Sequence, residues 1–281
     1  MTDTARCLNC GDTLTGRFCA ACGQRAVAPH PTIRELAGDA WDELTGYDGR
    51  IASTFRGLLS PGLLTKRYIE GQRARYLTPV RLYLIVSVVY FVVAAAAPER
   101  PSSRDGAQSG RGNIHIDLSG RELLTPELRE RLRADSKDYP WVVRTLMNAV
   151  ADDPVAFRTR LFTVMARVFF AMLPVFAGIV ALFYRRWTFP VSLVFATHLH
   201  AFAFAVLTFS ELAKFARSAA VEAAVDLPIT IGLVVYAIAA FRKVFGGGLL
   251  KTLGKAAAIG VLYLLTSLPA FFIILLWAAI S

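Results

Sequence analysis

The stretch AAAIGVLYLLTSLPAFFIILLWAAI, residues 256–280, runs for 25 positions without a charged side chain. A helix of that length measures about 37 Å, enough to cross roughly 30 Å of bilayer hydrocarbon. Four more apolar runs precede it, at about 80–97, 162–184, 189–209 and 224–241. The fourth is the weakest, because Asp226 and Pro228 stand at its start. The composition agrees: 55% of the 281 residues are hydrophobic and 19% charged, against about 25% charged in a soluble domain. The expected fold is therefore an all-α membrane protein of about five transmembrane helices.

The formal charge of +10 flanks these runs instead of forming one basic stripe, and so reads first as topology. Lys66, Arg67, Arg73, Arg75 and Arg81 precede the first run. Arg185 and Arg186 lie between the second and third, and Arg242, Lys243, Lys251 and Lys255 between the fourth and fifth. The intervening loops are balanced, with eleven basic and ten acidic residues over 98–160. The alternation predicts a cytoplasmic N-terminus, an extracytoplasmic segment 98–160 and an extracytoplasmic C-terminus, in a bacterial inner membrane by the resemblance given below.

All four cysteines, Cys7, Cys10, Cys19 and Cys22, fall within the first 22 residues. The start MTDTARCLNC carries no apolar signal segment, so this module, residues 1–28, is expected in the reducing cytoplasm, where paired cysteines bind metal more often than they cross-link. Two C-x-x-C-G pairs are the pattern of zinc knuckles: the two-residue gap turns both thiolates toward one ion, and Gly11 and Gly23 permit the close turn. Four thiolates would close a tetrahedral shell, which makes Zn2+ structural and leaves no position for substrate. A redox dithiol pair, an iron site and free thiols are the competing readings.

Residues 29–78 form an amphipathic arm. Thr32 and Glu35 make a capping box, followed by Ile33, Leu36, Ala37, Ala40, Trp41 and Leu44 on one face. A second helix is expected over about 50–59, a break at Ser60-Pro61-Gly62, and a resumption through Leu63, Leu64, Tyr68 and Ile69. Such helices suit the membrane interface; a helical hairpin packed on the cytoplasmic loops fits the same pattern. Arg73, Arg75, Tyr76 and Arg81 then stand just before the first span, a positive clamp and a candidate contact for lipid phosphate or a partner. In the segment 98–160, Ser-, Gly- and Arg-rich sequence gives way to helical spacing over 121–150, with Thr125-Pro126 as a helix start.

The knuckle C-x-N-C-G, the run F-C-x-x-C-G-Q from Phe18 to Gln24, and P-G-x-x-x-x-Y-I-x-G-x-R-x-x-Y-x-x-P from Pro61 to Pro79 resemble a widespread domain-of-unknown-function family. Its members are uncharacterised bacterial integral membrane proteins with an N-terminal zinc ribbon. The resemblance covers about residues 5–95 and rests on Cys7, Cys10, Cys19, Cys22, Gly71, Arg73, Tyr76 and Pro79. It implies a ribbon, a membrane and a bacterial source, and carries no activity.

Within the spans, Arg167, His198, His200 and Asp226 are the polar candidates. Arg167 and Asp226 should lie toward the same outer side and are candidate ion-pair partners. His198 and His200 are two positions apart, about 200° around a helix, so one metal on one face suits them poorly. There is no H-E-x-x-H, Walker loop, G-x-S-x-G or carboxylate pair on an apolar helix, which disfavours an enzyme. The leading expectation is a non-catalytic membrane protein whose ribbon docks a cytosolic partner, as adaptor, sensor or assembly factor. The alternative is a transporter or channel component using the polar residues of the helical domain, 79–281. The bilayer is the obligatory partner, self-association is open, and nucleic acid is disfavoured by the few cations of residues 1–28. A topology reporter joined after Ser281 should read extracytoplasmic and one at the 246–248 glycines cytoplasmic; the reverse pattern would overturn the orientation.

Overall fold

A computed structural model describes residues 6–26, 32–33, 50–98 and 126–280. The capping-box helix expected from Thr32 and the Ser- and Gly-rich linker lie almost wholly outside them. The described helices are α1 (Ile51–Leu58), α2 (Leu63–Ile69), α3 (Pro79–Ala96), α4 (Pro126–Ser136), α5 (Trp141–Asp152), α6 (Pro154–Phe183), α7 (Phe189–Ala213), α8 (Ala219–Phe245) and α9 (Leu249–Ile280). Five are long and apolar enough to span a membrane: α3, most of α6, α7 with the short 3-10 turn after it, α8 and α9. Among the described residues there is no strand, only two isolated bridges near the N-terminus.

Proline sets several of these starts. Pro79, Pro154 and Pro190 occupy the first or second helical position, where the missing N–H costs nothing and the fixed φ suits the helix. Asp153 adds an N-cap, accepting from the Ala156 N–H at 2.8 Å. Three helices begin well ahead of their apolar stretches: α6 at Pro154, α8 at Ala219, ahead of Asp226, and α9 at Leu249. Hydropathy marks the part of a helix that lipid can cover. Backbone hydrogen bonding carries the helix past it.

The central helix is α7, 56% of whose span is buried, against 28% or less in the other four. Helices α3, α6 and α8 pack around it, and α9 bridges α6 and α8. Phe204 of α7 meets Tyr83, Tyr90 and Phe91 of α3 and Phe169 of α6, with ring centroids 5.0–5.8 Å apart. Phe202 stacks on Tyr236 of α8. Lys255 of α9 donates to the Phe183 carbonyl at 2.8 Å, placing a cation on the negative end of α6.

The two ends of the bundle are dressed differently. At the end holding the 184–188 and 246–248 turns, α1 and α2 join the core through Leu58, Leu64 and Ile69. Tyr236 donates to the Leu58 carbonyl at 2.7 Å, and Thr65 shares a buried 3.0 Å hydrogen bond with His198. At the opposite end α5 packs on the start of α6 and the end of α9, through Val150, Phe157, Leu161, Ile274 and Ala278. Arg133 of α4 pairs with Asp152, and Ser136 donates to Asn148 at 3.2 Å. The hairpin α1–α2 is thus held against the spans by side chains.

Gly62 turns the chain between α1 and α2 with φ 68°, and a Cβ there would lie 3.0–3.2 Å from Val244 and the Ala240 backbone. Gly62→Ala should therefore destabilise the purified chain by about 1–2 kcal/mol, read as a lower melting temperature. Gly254→Ala, on α9 with open space around it, is the control and should leave melting unchanged or raise it.

Candidate metal centre

Each C-x-x-C-G builds a tight turn by the same backbone bonds. The Gly11 N–H donates to the Cys7 carbonyl at 2.8 Å and the Gly23 N–H to the Cys19 carbonyl at 2.9 Å. The Cys7 N–H reaches the Asp12 carbonyl at 2.7 Å and the Cys19 N–H the Gln24 carbonyl at 2.8 Å. Bridges Arg6 to Thr13 and Phe18 to Arg25 close the two turns. Positive φ at Gly11 and Gly23, 81° and 71°, is what these turns require.

The turns bring four sulfurs together. Cys7 Sγ lies 3.6 Å from Cys22 Sγ and Cys10 Sγ 3.5 Å from Cys19 Sγ, and all four fall within 4.8 Å of one another. Four thiolates at about 2.3 Å from one ion would stand about 3.8 Å apart, so the cluster is compatible with a metal site. Cys7 and Cys19 are buried, Cys22 half-buried and Cys10 exposed.

The electrostatics of the thiols point the same way. Burial opposes ionisation of Cys22, yet the Gln24 N–H, Asn9 and the thiols of Cys10 and Cys7 outweigh it and bring that thiol down to about 7. At Cys10 the Asp12 N–H favours the thiolate, but desolvation and the neighbouring Cys19, Cys22 and Cys7 push it up to about 12. Ionisation is thus eased at Cys22 and resisted at Cys10. A central cation removes that resistance.

Among the described residues, the cysteine turns are hydrogen-bonded to the membrane domain through Gln24. Gln24 is 6% exposed; its Nε2 donates to the Gly71 carbonyl at 2.6 Å, and its Oε1 accepts from the N–H groups of Arg73 and Ala74 at 3.0 and 2.9 Å. Beside this clamp Leu8 lies on Gly71, where a Cβ would come within 2.5 Å of the leucine side chain. Gly71 also has φ 88°. From the other side Thr54, on α1, accepts from the Leu77 N–H at 2.9 Å. The turn 70–78 is therefore gripped between the metal module and α1.

The remaining candidates separate. Arg73 is turned inward, 9% exposed, with its guanidinium 4.9 Å above the Tyr68 ring. Tyr76 and Arg81 are half-buried, and Arg75 is the exposed one of the four. Asp226 accepts from Ser210, and Arg167 stands exposed on α6 with no ion pair among the described residues. The expected Arg167–Asp226 pair is not formed: α6 and α8 each pack on α7 rather than on one another, and Arg167 faces outward from α6. His198 bonds Thr65, whereas His200 lies 2.8 Å from the Ala196 carbonyl through Nδ1 and 3.1 Å from the Tyr263 hydroxyl through Nε2. The two rings face different helices.

Gln24 escaped the sequence reading as a functional residue. Its signal was present, in the glutamine closing C-x-x-C-G-Q and the glycine of Y-I-x-G-x-R, but nothing in either segment says that they meet.

Residues 48–91 match the model of a family described as a protein of unknown function, DUF3667. No curated protein and no solved structure matches the chain. The family match covers α1, α2, the turn that receives Gln24 and most of α3, and does not include the cysteines.

Three hydrogen bonds of about 0.5–1.5 kcal/mol each hold the latch. Gln24→Ala should leave metal content unchanged while trypsin cleavage after Arg73 and Arg75 speeds at least tenfold in membrane vesicles exposing that face. Unchanged cleavage would show that the turn does not depend on the glutamine.

Proposed function

We propose that this chain is a non-catalytic integral membrane protein in which a zinc-held ribbon, on the cytosolic side of a bacterial inner membrane, docks a partner protein and is coupled to the helical bundle. The observation that carries the reading is the Gln24 clamp. A module that served only to fill space would need no polar side chain committed to the backbone of the turn before the first span. A contiguous path leads inward from it: the Gln24 amide to the 71–74 backbone, Arg73 over Tyr68, the Tyr68 ring edge-on to His198 at 6.5 Å, and Thr65 bonded to that histidine. A load on the ribbon is thereby felt by α7.

The outer face of the ribbon supplies the docking surface. Phe18 is 61% exposed, a large aromatic ring left out in a module with almost no core of its own. Zinc is the ion that a closed four-thiolate shell in a reducing compartment suits best. The cytosolic assignment is supported by the cations gathered at the ribbon end of the bundle, Lys66, Arg67, Arg75, Arg185, Arg186, Arg242, Lys243 and Lys251. A transporter or channel component finds less support, since His200 commits both ring nitrogens, and His198 its Nδ1, to hydrogen bonds within the protein. The small cavity beside His198, about 10 Å³, has room for one water.

The test is cross-linking in living cells at matched membrane abundance, comparing the native chain with Cys19→Ser, Cys22→Ser and with Phe18→Ala, alongside metal analysis of each purified protein. One zinc per native chain is expected, with none in the double cysteine variant. A cytosolic protein should be lost from both variants and should rebind the purified native chain. Identical captures from all three chains would sink the docking role, and a zinc-free native chain would sink the metal assignment.

A further inference from the structure

The outward stripe of α6 carries two arginines two turns apart. Arg160, Thr163, Arg167, Phe170 and Pro174 follow one another at helical spacing and all are exposed, while Leu161, Leu173, Phe176, Ala177 and Val180 on the other face are buried. Among the described residues neither arginine has a hydrogen bond or ion pair. Asp153, two turns further out, caps the helix by accepting from the Ala156 N–H.

Depth can be measured from the ribbon end, where Lys255 meets the last carbonyl of α6. Arg167 lies about 24 Å back along the helix and Arg160 about 35 Å, so the far edge of roughly 30 Å of hydrocarbon falls between them. Two other helices agree. Ser210 stands about 32 Å along α7 and Asp226 about 29 Å back along α8, and these two polar side chains are bonded to each other. A lipid-facing guanidinium one turn inside this plane has to find an anion, and phospholipid phosphate is the abundant anion there. Its planar fork suits phosphate oxygens.

We propose that Arg160 and Arg167 clamp the phosphate of an anionic phospholipid in the leaflet at the α4–α5 end of the bundle. Arg167 reaches outward from the hydrocarbon edge and Arg160 inward from the aqueous side, with Thr163 between them. Two cations on one stripe, with no ion pair among the described residues, select a lipid with net negative charge over a zwitterionic one.

The experiment is native mass spectrometry of the purified full chain in micelles, titrated separately with phosphatidylglycerol, phosphatidylcholine and inorganic phosphate. The native chain should retain phosphatidylglycerol at least fivefold more tightly than phosphatidylcholine and than R160Q/R167Q does, and inorganic phosphate should not displace it. Arg217→Gln removes a cation at the same end, off the stripe, and should behave as native. Equal retention by R160Q/R167Q, equal loss in Arg217→Gln, no preference over phosphatidylcholine, or displacement by inorganic phosphate would each overturn the site. Should the double variant fail to insert, Arg160→Gln alone, on the aqueous side, carries the same comparison.

Discussion

Two histidines two positions apart on a buried helix impose the constraint that organises this protein. Hydrocarbon offers neither ring a hydrogen-bond partner, and helical geometry points them about 200° apart, so no single neighbour can serve both. His200 is answered from within the bundle, by its own helix and Tyr263 of α9. His198 is answered by Thr65, which lies outside the spans in sequence. Satisfying that ring draws α2 against α7. Tyr236 then finds the carbonyl at the end of α1, and Gly62 makes room for the close approach to α8.

Once α1 and α2 are in place, the turn 70–78 has a fixed position, and the metal module has something to hold. The family similarity, over residues 48–91, covers α1, α2, this turn and most of α3.

The spans were legible in the sequence because lipid exposure is a local property: a run of apolar residues reports it without reference to the rest of the chain. The break at Ser60-Pro61-Gly62 was legible for the same reason, since proline and glycine act on their own backbone. The four cysteines declared themselves by spacing alone. The contacts that join these parts could not be read. Gln24 meets Gly71 across 47 positions and Thr65 meets His198 across 133; neither pairing leaves a periodic trace, and an amphipathic hairpin shows the same apolar face to a bilayer as to a bundle. Arg167 and Asp226 illustrate the reverse error. Complementary charge suggests a pair, yet the two residues sit on helices that pack on α7 and not on each other.

The near-duplication of the two knuckles has a consequence for how the ribbon knows which way to face. Both halves make the same backbone bonds, and four like sulfurs give a metal ion no means of telling one half from the other. Position 24 of the second half is glutamine, and its counterpart in the first is Asp12, whose carboxylate is taken by the N–H of Thr13. The ligand shell is close to symmetric, and a single amide breaks the symmetry. Orientation is thus written separately from the ligand pattern: the paired turns would offer a metal ion the same thiols from either half, and one uncharged side chain decides which of two nearly equivalent faces meets the membrane domain.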